Sequence, residues 1–122
     1  MHQRGQSTVE MALCLPILFL LVACALDVAQ VALDQARLWH GAREAARVAA
    51  VDPDGLGIRR AVREAGVEGA RIMVAPDTAY RVQGEPVTVV LRRRGSARVP
   101  LMRPLLANLT LQARATFRIE QP

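Results

Sequence analysis

Residues 11–26 contain no charged side chain, and this run constrains the chain more than any other feature. It begins at Met11, passes Leu21 and ends at Leu26. Apolar on every side, it has to be covered by protein or lipid. Sixteen residues are slightly short for a bilayer, which calls for about 20 in a helix. If Asp27 lies among headgroups or is buried in protein, the apolar helix extends to residue 33. It is then about 34 Å long at about 1.5 Å per residue. Pro16 removes one backbone hydrogen bond and is expected to kink or loosen the helix there. Membrane helices accept such a break where neighbouring groups satisfy the freed carbonyl.

The residues before the run set its processing. Three readings compete: a secretory signal peptide cut near Ala23-Cys24-Ala25, a lipoprotein signal with the lipobox-like Leu21-Val22-Ala23-Cys24, and a retained anchor cut before the run. Glu10 stands against the first two. An acid touching the apolar segment weakens the positive-inside asymmetry that a signal peptide needs. Charge alone does not orient the segment, with His2 and Arg4 on one side and Arg37 and Arg43 on the other. Cys14 and Cys24, ten residues apart, point about 80° away from each other on a helix and cannot bridge within it.

The third reading has a known counterpart. Gly5, four residues, Glu10 and the apolar run resemble a type IV prepilin. The wider stretch RGQSTVEMALCLPILFLLVACALDVAQVALDQARLWHGAREAARVAAV resembles the TadE-like pseudopilins of the tight-adherence, Flp-type pilus. The shared features are Arg-Gly-Gln, Val-Glu, Leu-Pro with a leucine-rich run, an acid some ten positions later, and an Ala-Arg-rich helix. Met11 stands where the family usually has Phe or Tyr, a mild change because Met is also apolar and adaptable. The resemblance covers the N-terminal 50 residues.

It implies cleavage after Gly5 by a prepilin peptidase and a mature start at Gln6. Glu10 would meet the N-terminal amine of a neighbouring subunit, a pair that sets register between helices in a low dielectric. The implied partners are the membrane, other pilin and pseudopilin subunits, the prepilin peptidase and the pilus assembly platform. The implied location is a single pass through the cytoplasmic membrane, with the C-terminal part extracytoplasmic and incorporated in a surface pilus or its assembly machine. The role would be structural, without cofactor.

Residues 27–50 read as an alanine-rich helix with Gly41 as its weak point. On a 3.5-residue wheel the columns Asp27/Asp34/Gly41, Gln30/Arg37/Glu44 and Leu33/His40/Arg47 are polar and expected to be wet. The remaining columns, with Val28, Ala32, Ala36, Leu38, Trp39, Ala42, Ala45 and Ala49, are expected to pack. Their alanines suit either the chain's own sheet or neighbouring subunits. Trp39 reads as the first large core residue, which its place on the apolar side favours, or as a membrane-interface anchor. Asp34–Arg37 and His40–Glu44 can pair along the helix.

Asp52-Pro53-Asp54-Gly55 ends this helix. A second helix is expected over 56–65, closed by Gly66, then strands over 70–75, 87–94 and 109–120. Residues 80–83 are expected to pair with the second strand across Gly84. In the last strand Leu111, Ala113, Ala115 and Phe117 alternate with polar residues, the mark of a sheet with one wet face. Residues 99–108, with two prolines, are expected to add a helical turn over one end of the sheet. The fold class is therefore α+β: a long N-terminal helix, a short helix and a small antiparallel sheet. The expected divisions are a leader (1–5), a membrane helix (6–33), a stalk (34–51) and a small extracytoplasmic domain (52–122).

The charge is +5, carried by sixteen arginines without a lysine. Nucleic acid is not an expected partner: the arginines are dispersed among acids, and Arg92, Arg93 and Arg94 alternate faces on a strand. With four aromatic residues there is no stacking platform for single strands. Ser7 and Ser96 form no nucleophile–base motif with His2 or His40, and no phosphate loop or metal-ligand spacing occurs. No enzyme, metal or cofactor is expected. The competing function class is a small envelope protein, anchored or lipidated at Cys24, whose sheet domain binds a protein partner.

Overall fold

The computed structural model describes residues 3–52 and 54–120, without the side chains of Gln3 and Arg4. His2, the Arg4 side chain and Pro53 thus lie outside the described residues. Helix α1 spans Gln3–Val51 and passes through Pro16 as one element. It is followed by α2 (Gly55–Glu64), β1 (Arg71–Ala75), a 3-10 turn (Thr78–Tyr80), β2 (Pro86–Arg94), α3 (Arg103–Leu106) and β3 (Thr110–Arg118). The strands form one antiparallel sheet in the order β1-β2-β3. The α+β architecture expected from the sequence is the one observed.

Local chemistry accounts for the boundaries. Asp54 caps α2, its carboxylate accepting from the Leu56 N–H at 3.3 Å. Gly66, at φ 76°, ends that helix in a conformation that a side chain would resist. At the end of α1, the Ala49 carbonyl accepts from Arg81 Nη1 at 3.2 Å, and the Ala50 carbonyl from the Glu120 N–H at 3.0 Å. These bonds satisfy carbonyls with no partner inside the helix and place a cation at its negative end.

The C-terminal half of α1 lies across β2 and β3, with α2 beside it. Leu38, Ala42, Ala45, Ala46 and Ala49 meet Val87, Val89, Leu91, Leu111, Ala113 and Ile119 in the core. Fully burying each large aliphatic side chain contributes about 1.5–3 kcal/mol. Gly41 marks the tightest approach. A Cβ there would come 3.1 Å from Val67 Cγ2 and 3.3 Å from Leu91 Cδ1. The outer face of the sheet is polar: Thr88 and Thr116 share a 2.9 Å hydroxyl contact, and Arg92 Nε donates to Gln112 Oε1 at 3.1 Å. Arg93, on the opposite face, is half-buried while Arg92 and Arg94 are exposed, as strand alternation requires.

Several expectations are corrected. Residues 80–83 form no strand with β2; Gly84 donates instead to the Ile119 carbonyl and the segment serves as a loop. Asp34 and Gly41 are buried rather than wet, and of the two places open to Asp27, headgroups or protein, burial in protein is the one observed. Trp39 is 43% exposed, and its neighbour Leu38 is the first large core residue. The alanines divide: Ala42, Ala45, Ala46, Ala49 and Ala50 pack on the sheet, whereas Ala29, Ala32 and Ala36 remain exposed beside Val28 and Leu33. Asp34–Arg37 forms at 3.5 Å, while His40 and Glu44 make no ion pair among the described residues. Phe117 stays partly exposed at the far end of β3.

Candidate functional site

From Gly5 to Leu26, α1 projects from the domain with its side chains exposed, except for the half-buried Ala23 and Cys24. It is long and apolar enough to cross a membrane. Met11, Leu21 and Leu26 are 63%, 62% and 65% exposed, so the chain's own fold leaves them to be covered by something else. Pro16 sits within this stretch and gives no N–H to the Ala12 carbonyl. Cys14 and Cys24 are both free thiols.

At the head of the helix, nothing lies within 4 Å of the place a Cβ on Gly5 would occupy. Gln6 and Glu10 are exposed and one turn apart, with Gln6 Nε2 3.5 Å from Glu10 Oε1. That spacing puts the Gln6 and Glu10 side chains on the same side of the helix. Gly5, Gln6 and Glu10 therefore form one small group at the head of the helix, ahead of Met11, Pro16, Leu21 and Leu26 in the apolar run.

A second group lies where the apolar run ends. Asp27 is 5% exposed, yet its carboxylate is satisfied: Oδ1 accepts from the Arg98 N–H at 3.3 Å and Oδ2 from the Val99 N–H at 3.0 Å. One face and two turns further on, Asp34 Oδ1 accepts from Gln30 Nε2 at 3.4 Å. It lies 3.5 Å from Arg37 Nη1 and 4.0 Å from Arg93 Nη1. Asp27, Asp34 and Glu68 line a cleft of about 280 Å³ with Arg37, Arg93 and Arg98. Asp34 is paired with Arg37 and Arg93, and Asp27 with two backbone amides, so these contacts fasten the helix to the sheet and its β2–β3 connection.

The sequence gives little warning of this clamp. Acids on an alanine-rich helix read as solvated, and the partners of Asp27 are backbone amides some seventy residues away. Gly95 is the other device missed. A Cβ on it would lie 2.5 Å from the Leu106 carbonyl oxygen, so only glycine lets the β2–β3 connection fold back on α3.

Elsewhere, an open cleft of about 830 Å³ between α2 and β1 is lined by Ile58, Val62, Ile72 and Val74 with Arg59, Arg63 and Arg81. It brings together no nucleophile with a histidine base. Among the described residues no three His, Cys, Asp or Glu side chains gather as a metal site.

In comparisons with known proteins, no curated protein and no solved structure matches the chain. One family model does match, that of the TadE-like protein, over residues 5–47. The matched span opens at Gly5, takes in Glu10, the apolar run, Asp27 and Asp34, and stops short of α2 and the sheet. Over that span, about a third of the chain, the sequence is similar to the TadE-like family.

Proposed function

We propose that this chain is a minor pilin or pseudopilin of the tight-adherence, Flp-type pilus, cut after Gly5 by a prepilin peptidase and assembled through its N-terminal helix. The observation that carries the reading is the uncovered helix over 5–26 with Gly5, Gln6 and Glu10 grouped at its head, inside the TadE-like match. Before assembly the helix would anchor the protein in the cytoplasmic membrane, with the sheet domain on the extracytoplasmic side.

The chemistry follows from the position of Glu10. Cleavage of the Gly5–Gln6 bond releases a cationic amine one helical turn from an anionic carboxylate. Neither charge is stable alone in lipid, where an unpaired ion is strongly disfavoured. When a neighbouring subunit's amine reaches Glu10, the two charges neutralise in register, and breaking the pair then leaves a buried charge uncompensated. The exposed stripe of Val28, Ala32, Ala36 and Trp39 continues the helix surface beyond the anchor. Its small side chains suit the close approach of neighbouring helices. No enzymatic step by this chain is part of the proposal.

Purification of pilus filaments or of the assembly machine from the native host tests the assignment. The chain is expected to copurify with one of them in its shortened form and to be missing from both when Gly5→Leu replaces it. A chain found only in the general membrane fraction, at full length, would reject the assignment.

A further inference from the structure

We infer that the β2–β3 connection, residues 95–109, is a second membrane contact: Leu101 and Leu105 enter the outer lipid interface while Arg98 and Arg103 meet anionic headgroup phosphates. The inference rests on the reading that the α1 segment before Asp27 spans the membrane.

Direction comes first. Gln35 Nε2 donates to the Gln112 carbonyl, and the Glu120 N–H donates to the Ala50 carbonyl. Strand β3 therefore runs alongside α1 in the same sense, and its start, paired with the end of β2 through Arg94 and Thr110, is the membrane-proximal end of the sheet. About 12 Å of helix separates Gln35 from Asp27. About 7 Å of strand separates Gln112 from Thr110. The sheet stops short of the anchor, and the 95–109 connection fills the difference. The hydrogen bonds of Arg98 and Val99 to Asp27 hold it one residue beyond the apolar run. One turn closer to the membrane, on the same helix face, Ala23 and Cys24 are the half-covered side chains of the anchor.

Composition then identifies the occupant. Within this connection Leu106 faces the core at 9% exposure, but Leu101 and Leu105 are 63% and 70% exposed, one turn apart. Arg98 and Arg103 beside them are exposed as well. Residues 86–119 contain seven arginines and no acid. Apolar side chains flanked by cations, held at the level where a spanning helix leaves the bilayer, match an anionic lipid interface. Leu56, also exposed beside Arg59 and Arg60, follows the opposite end of α1 and serves as the contrast.

The test uses the full chain with Cys14→Ala and Cys24→Ala, carrying single cysteines at Leu101, Leu105, Leu18 or Leu56 for nitroxide labelling. Each variant is reconstituted in vesicles of phosphatidylcholine and phosphatidylglycerol in equal parts, and in phosphatidylcholine alone. Trp39 fluorescence serves as a check that the fold is kept. Collision with a water-soluble nickel chelate is expected to be lowest at Leu18. At Leu101 and Leu105 it should be on the order of fivefold lower than at Leu56, as for side chains seated in the interface. Adding Arg98→Gln and Arg103→Gln should raise it in the mixed vesicles and leave it unchanged in phosphatidylcholine alone.

A protected Leu18 with Leu101 and Leu105 as accessible as Leu56 would overturn the inference while leaving the spanning helix intact. Accessible labels at Leu18 would remove the spanning helix and the inference together. Spin–spin broadening at Leu101 at low protein density would assign the surface to a second copy and likewise overturn it.

Discussion

Asp27 Oδ2 accepts a hydrogen bond from the backbone N–H of Val99 at 3.0 Å, tying the end of the apolar run to a residue 72 positions away. The same carboxylate holds the Arg98 N–H, so two amides depend on one side chain. Removing a charged partner of buried groups costs about 1–3 kcal/mol. Asp27→Ala should therefore free the 95–109 connection locally without unfolding the sheet. The expected result is tryptic cleavage after Arg98 about fivefold to a hundredfold faster, in proportion to the population of the open loop. Asp27→Asn, which keeps one acceptor oxygen, should fall between. Equal cleavage rates in all three proteins would show that the clamp does not restrain the loop.

Gly41 and Leu91 provide a second test. A single methyl at Gly41 gains about 1 kcal/mol in helix propensity but meets Val67 and Leu91 at 3.1 and 3.3 Å. Gly41→Val adds bulk and β-branching to that contact and should destabilise the full chain in detergent by about 1–3 kcal/mol, by denaturant titration followed through Trp39. Gly41→Ala should lie closer to the parent protein. A Gly41→Val protein as stable as the parent would mean that helix and sheet do not meet this closely.

Glu10→Ala separates cutting from assembly. On the proposed function a prepilin peptidase would cut the Gly5–Gln6 bond, one turn before the acid, so the variant should reach the mature mass. It loses the charge that would meet a neighbouring amine and should enter filaments poorly, by immunoblot of sheared pili. Normal incorporation would contradict the role given to Glu10.

Legibility of the sequence followed the range of the interactions. The anchor, the long helix, α2 and the strands were evident from local periodicity, because Leu111, Ala113 and Ala115 bury alternately whatever lies across from them. Residues 80–83 misled because their composition suits a strand, whereas the hydrogen bonds of Gly84 and Glu85 go to the end of β3 and back into the loop. The burial of Asp34 and the partners of Asp27 were hidden for a related reason. An acid on a helix reads as solvated, and what allows its burial here is a backbone supplied by a distant loop. The apolar side of the wheel suggests the core for Trp39, yet the face turned to the sheet runs through Asp34, Leu38 and Gly41. Leu38 and Trp39 both fall on the apolar side of a helical wheel, but they point about 100° apart, and only Leu38 meets the sheet.

The most direct measurement is the N-terminal sequence and intact mass of the protein recovered from its native host, for the parent chain and for Gly5→Leu. The account predicts a parent protein beginning at Gln6 and a Gly5→Leu protein that keeps its leader. A parent protein beginning at Met1, at Leu26 or at a lipidated Cys24 would contradict it.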